Sequence, residues 1–205
     1  MTHEFGAAGR GSSPGRKPPQ RPATSGRLEI TPPRVIPNLE RLLDAVREAS
    51  PLHESYVHGD DHWRAVAEVG LRLLPHAPRA DRDVVLLFAL FHDSMRENEA
   101  VDPGHGKRGA DLAQELHGRL YRLPDQRLEF LLAACRDHTD ARLSDHPTLG
   151  VCFDADRLNL WRVGTTPDAA YLSTVAALDE ELQRWTKTLH GRARSWEELL
   201  GAVAG

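Results

Sequence analysis

Six side chains fall at the ends of expected helices or in the loops between them and can bind metal or move protons: His62, His92, Asp93, His105, His138 and Asp156. Imidazole nitrogens together with carboxylate oxygens suit Mn, Fe, Zn, Co or Ni, and the carboxylates shift the balance towards harder ions. The pair His92-Asp93 follows directly on an unbroken apolar run, Val84 to Phe91. A run that is apolar on every side is buried on every side, so its end carries an imidazole and a carboxylate to the core. Both are expensive there unless something compensates them, and a metal ion supplies the positive charge that the carboxylate lacks. Taken alone, His92 and Asp93 also read as a hydrogen-bonded structural pair; the number of further donors favours metal. Asp154 competes with Asp156, since the two lie about 200° apart round a helix and only one can face in.

The elements that must position these residues are helical. Leu39, Leu42, Leu43 and Val46 recur at helical spacing between Pro37 and Ala49. Asp60 or Asp61 starts a second helix reaching about Leu74, with His62 pointing inward from its first turn. The apolar helix starts at Asp81 or Asp83 and is expected to end near Met95. Glu97 to Gly106 reads as a polar surface loop. Helices follow over Lys107–Arg122, from Pro124 into Arg136-Asp137-His138, around Val151–Leu158, over Asp168–His190 and over Ser195–Val203. No convincing period-2 stretch with turn signals is found, so the fold class is all-α.

The chain has 205 residues, enough for one domain with a sizeable core. Residues 1–34 are rich in Gly, Pro, Ser and Arg and almost free of large apolar residues, so a disordered tail is expected there and a single helical domain over 35–205. Six basic residues against Glu4 and Glu29 make the tail +4, which with −4 overall leaves the body −8. An acidic body argues against nucleic acid as the partner. No apolar run approaches the roughly 20 residues of a membrane span, and no apolar segment near the N-terminus reads as a signal peptide. Cys135 and Cys152 sit among apolar neighbours and read as buried thiols in a reducing cytoplasm.

His62, the dipeptide His92-Asp93, and Asp156 within Ala155-Asp156-Arg157-Leu158 resemble the H…HD…D pattern of the HD-domain metal-dependent phosphohydrolases, over roughly residues 50 to 165. The resemblance implies an HD-domain-like helical bundle. It implies one ion held by His62, His92, Asp93 and Asp156, and prefers Asp156 to Asp154. It also implies a second ion on His105 and His138, with Asp93 bridging. The ions would be one or two divalent metals: Mn, Fe, Ni, Co, Zn or Mg. Paired ions about 3.5–4 Å apart can clamp the attacking and leaving oxygens of an in-line displacement at phosphorus. The implied activity is hydrolysis of a small phosphate ester or nucleotide by metal-activated water, with Asp93 and His92 as catalytic residues.

Arg96, one turn beyond Asp93, and Lys107, two residues after His105, are the candidates to hold a substrate phosphate. His58 is a candidate for the entrance, and Arg157 for pairing with Asp154 or another acid. The expected partner is a small phosphorylated molecule, with no nucleic acid and no membrane. Other readings are a non-catalytic metal- or nucleotide-binding helical module and a di-iron oxygenase of similar fold. No Gly-Tyr-Pro follows the dipeptide, as it does in cyclic dinucleotide phosphodiesterases. Ser94-Met95-Arg96-Glu97 stands where guanosine tetraphosphate hydrolases carry a Glu-Asp pair. Neither subgroup's substrate carries over.

Overall fold

The apolar run forms the helix around which the others pack. In the computed structural model, which describes residues 34–201, α1 spans Leu39–Ala49, α2 Asp60–Leu73 and α3 Arg82–Phe91. Every residue of α3 from Val84 to Phe91 is buried. Asp81 caps α3 by accepting from the Val84 N–H at 3.1 Å. Helix α4 spans His105–Leu116, α5 Asp125–Asp137 and α6 Pro147–Arg157. Helix α3 packs against α2, α5 and α6, and α4 against α5. The short helices α7, Glu180–Thr186, and α8, Trp196–Gly201, close the described chain. Among the described residues there is no strand beyond one isolated bridge between His117 and Tyr121. The expected disordered tail lies, apart from Arg34, outside the described residues, as do residues 202–205 at the end of the last expected helix. No helix among the described residues is long and apolar enough to cross a membrane.

Several boundaries differ from the sequence expectation: α4 already starts at His105, buried and inside the expected surface loop, and α6 already at Pro147. Helix α3 stops at Phe91 rather than near Met95, because the chain tightens into i→i+3 turns, with Ser94 N–H on the Phe91 carbonyl and Arg96 N–H on the Asp93 carbonyl, both at 3.2 Å. Ser94 Oγ also donates to the Phe91 carbonyl at 2.9 Å. Helix α4 stops at Leu116, where His117 turns extended and Gly118 takes φ 78°.

The single helix expected over Asp168–His190 is instead two 3₁₀ turns, Ala169–Tyr171 and Val175–Leu178, followed by α7. Asp168, Thr174 and Asp179 each cap one of these pieces with a side-chain oxygen. Asp154 removes the Ser173 and Thr174 N–H groups from any helix by accepting both at 2.7 Å. Local side-chain acceptors compete with helical hydrogen bonds in this way.

Candidate metal centre

The turn after α3 lets two adjacent side chains face one place. His92 is the C-cap of α3, and its Nδ1–H points back to the carbonyls of Ala89 and Phe88, at 3.0 and 3.2 Å. Its Nε2 lies 3.2 Å from His62 Nε2, which projects fully buried from the first turn of α2. Asp156, in the last turn of α6, brings Oδ1 to 3.4 Å from His62 Nε2 and 3.7 Å from His92 Nε2. Asp93 Oδ2 closes the group at 3.5 Å from His62 Nε2 and 3.8 Å from His92 Nε2.

The other Asp93 oxygen faces a second group. Oδ1 lies 3.1 Å from His105 Nε2 and 3.7 Å from His138 Nε2, and the two imidazole nitrogens are 3.0 Å apart. His105 opens α4, and His138 is the C-cap of α5. Gly106 and Gly109 let α4 come this close: a Cβ on Gly106 would strike the Cys135 carbonyl, and one on Gly109 the carbonyls of Phe91 and His92.

The donor set fits a cation on three counts. Two donors each about 2.1 Å from one ion, at angles of about 90–110°, are about 3.0–3.4 Å apart, near the separations found here. His105 Nδ1 and His138 Nδ1 each donate to a backbone carbonyl, of Asp102 and of Cys135, as His92 does. A neutral imidazole so anchored presents a lone pair at Nε2, and facing lone pairs need a proton or a metal ion between them. Third, Asp93 Oδ1 is buried with no hydrogen-bond partner, which an ion would satisfy.

The electrostatics agree. Burial would raise the Asp93 carboxyl, but the imidazoles of His92, His105, His138 and His58 outweigh it and hold the group well below the ordinary carboxylate range. Asp156 stays anionic in the same way, with burial outweighed by His62, His92 and Arg162. Burial, aided by Arg162, lowers His62 to about 4, so it is neutral at pH 7.

Two arginines flank the bridging position. Arg96 is tied to the Ala100 carbonyl at 2.7 Å and brings Nη1 within 3.5 Å of Asp93 Oδ1. Arg162, beyond α6, is tied to the Val57 and Asn159 carbonyls at 2.7 and 3.1 Å and brings Nη2 to 3.7 Å from Asp93 Oδ2. His58 Nδ1 lies 3.1 Å from Asp93 Oδ2. These groups line one side of a cavity of about 550 Å³, whose other walls include Leu160, Val163 and Tyr171. That volume is in the range of small-molecule sites.

The structure thus brings together His62, His92, Asp93, His105, His138 and Asp156, with Arg96 beside them, but not Lys107. Lys107 is 72% exposed and pairs with Asp111 one turn on, at 2.6 Å. Two residues along a helix turn the side chain about 200°, so it leaves the face that His105 occupies. Asp154 points away from the centre and holds the Ser173–Thr174 backbone. Arg157, expected to pair with Asp154 or another acid, instead donates to the carbonyls of His138, Ala141, Arg142 and Tyr171, which pins the segment after His138. Arg162 was not singled out by the sequence. It lies in a 3₁₀ turn six residues after Asp156, where no periodicity predicts a direction. The sequence marks His58 only for the entrance, and in the structure it touches Asp93 itself.

The family model described as HD domain matches residues 59–161, half of the chain. The chain belongs to the HD-domain family. The HD domain so defined contains every residue of the cluster. A solved protein described as a predicted HD superfamily hydrolase, from an uncultured Thermotogales bacterium, is 26% identical. The likeness covers 74% of this chain and 86% of that one, with a TM-score of 0.54. No curated protein matches the chain. HD domain and hydrolase neighbour together support membership of a metal-dependent hydrolase family, and the two His/Asp groups around Asp93 are where this HD domain offers ligands for divalent metal.

Proposed function

We propose that this protein is a metal-dependent phosphohydrolase acting on a small phosphate ester or nucleotide. The observation that carries the reading is the division of Asp93: Oδ2 faces His62, His92 and Asp156, and Oδ1 faces His105 and His138. His62, His92, Asp93 and Asp156 would hold one divalent ion, and Asp93, His105 and His138 a second. Ions bound there supply Lewis acidity towards phosphoryl oxygens and lower the pKa of water. The protein's own groups do the rest. Backbone carbonyls fix the Nδ1–H of His92, His105 and His138, so each imidazole is oriented before any ligand arrives. Arg96 and Arg162 keep one N–H edge near Asp93 and offer charged donors to phosphoryl oxygens in a partly closed site. The walls of Leu160, Val163 and Tyr171 suit a small organic body rather than a polynucleotide.

Elemental analysis of freshly purified protein tests the reading first, followed by a phosphatase and nucleotide panel with Mn²⁺, Mg²⁺, Ni²⁺ and Co²⁺. Bound divalent metal is expected, with hydrolysis of at least one phosphate substrate that is lost on chelation and in Asp93→Asn. Metal-loaded protein inert across the panel overturns the reading in favour of a non-catalytic module. Bound iron with O₂ uptake and no phosphate release overturns it in favour of an oxygenase.

A further inference from the structure

A second cavity of about 510 Å³ shares Arg162 with the cavity at the metal centre. Its walls include Lys187, Arg192, His190, Tyr56 and Trp161 as well as Arg162, and no aspartate or glutamate lines it. Such a lining is unexpected on a body whose formal charge is negative. Surface cations in an acidic protein usually find carboxylates, as Arg194 finds Glu68 and Arg119 finds Glu115. Neither Lys187 nor Arg192 has an ion-pair partner among the described residues, although both are exposed. Lys187 Nζ is held instead over the Trp161 ring, 3.8 Å from its centroid. A ring face steadies an ammonium without neutralising it.

His190 packs edge-on against Tyr56 at 4.0 Å between centroids. Its Nε2 and the neighbouring Trp161 Nε1 are buried without hydrogen-bond partners. Asp61, the acid that acts on His190, is already paired with Arg64. Lys187 and Arg192 thus bring positive charge to a cavity that no carboxylate lines. A concave, one-sign surface focuses its field on ligands of the opposite sign.

We propose that this cavity binds a phosphate group, free or at the end of a small molecule, at a site separate from the metal centre. Lys187 and Arg192, both exposed, supply the charge, and Arg162 lines the cavity with them. Arg162 also lies beside Asp93 and Asp156, so an anion here adjoins a residue shared with the metal centre.

Calorimetric titration of the protein as purified, with inorganic phosphate and separately with AMP, tests the site without requiring turnover. A binding event is expected that survives Arg96→Ala and weakens at least about tenfold in the double variant Lys187→Glu/Arg192→Glu. Both replaced side chains are exposed, and an unchanged unfolding temperature checks that the variant is folded. The neutral pair Lys187→Ala/Arg192→Ala should show a smaller loss of the same event. Equal affinity for the two probes identifies free phosphate as the ligand. Tighter AMP binding that falls to the phosphate value in Tyr56→Ala identifies the phosphate end of a nucleotide. Titrations of the two double variants that match the wild type in stoichiometry and affinity overturn the proposal. So does a binding event that Arg96→Ala abolishes, since that event belongs to the metal centre.

Discussion

Gly109→Ala tests whether the second half of the centre depends on how closely α4 approaches α3. A Cβ at Gly109 would sit 3.1 Å from the His92 carbonyl oxygen and closer still to that of Phe91. Both obstacles are backbone, at the turn that presents His92 and Asp93, and neither can rotate away. An ordinary C···O contact is about 3.3 Å or more, so α4 must retreat by about 1 Å at that point. His105 stands one turn earlier on the same helix, with Nε2 now 3.1 Å from Asp93 Oδ1.

Overpacking of this kind costs about 1–3 kcal/mol, and Ala returns up to about 1 kcal/mol of helix propensity. The net loss is about 1–2 kcal/mol, which for a chain of this length lowers Tm by about 2–8 °C. Thermal unfolding measures that shift. Elemental analysis after dialysis should show that ions bound through His105 are lost before those bound through His62 and Asp156. Gly201→Ala is the control: no described residue lies near its Cβ position, and its Tm should stay within about 2 °C of wild type, as for an ordinary surface change. A Gly109→Ala protein that melts with the wild type and keeps its full metal content would refute the reasoning.

Four further substitutions separate the roles of other residues. Asp154→Ala strands two backbone N–H groups and should cost about 1–3 kcal/mol in denaturant melts while leaving metal content intact, whereas Asp156→Ala should reduce metal content. Asp81→Asn keeps the cap on α3 but loses the charge pair with Arg127, 2.6 Å away and partly exposed, so about 0.5–1 kcal/mol should go at pH 7. Burial would raise the Asp81 carboxyl, but Arg127 and the Val84 N–H outweigh it and its folded pKa is lowered; the unfolded chain therefore binds the proton more readily, the contribution is present above about pH 4, and the gap between wild-type and variant melts should close as pH falls below that. Lys107→Ala removes only an exposed i,i+4 pair and should leave phosphate hydrolysis within about twofold of wild type in the panel assay.

The residues of the centre were legible because their types are costly in the places the pattern puts them. A His-Asp pair on the end of an all-buried helix has few stable fates, and His62, His105, His138 and Asp156 each sit at the beginning or end of a helix that periodicity reveals. What could not be read was direction beyond the helix ends. Lys107 is near His105 in sequence, but the expected helix starts only at Lys107; with His105 itself in α4, the 100° turn per residue puts Lys107 on another face. Arg162 sits in a 3₁₀ turn with no repeat to orient it, and its closest bonds go to carbonyls as far back as Val57. The region after Asp168 failed for a different reason. Its apolar spacing is compatible with a long helix, but Asp168, Thr174 and Asp179 restart the chain three times, and Asp154 captures two N–H groups from 19 and 20 residues away. Capping residues in a row are a local signal; the distant carboxylate is not.

The two arginines and Asp93 bear on one another. Each guanidinium approaches an Asp93 oxygen at 3.5–3.7 Å, farther than the 2.7–2.9 Å of a charge-assisted hydrogen bond. Each is held back by carbonyl partners: Ala100 for Arg96, and Val57 and Asn159 for Arg162. Had either closed on Asp93, the bidentate pair would consume the oxygen that the imidazoles face. The tethers therefore keep the cations near enough to stabilise a buried anion and too far to cap it, which leaves Asp93 free for ions and the arginines free for an anionic ligand. Arg162 differs from Arg96 in that it also lines the acid-free cavity with Lys187 and Arg192.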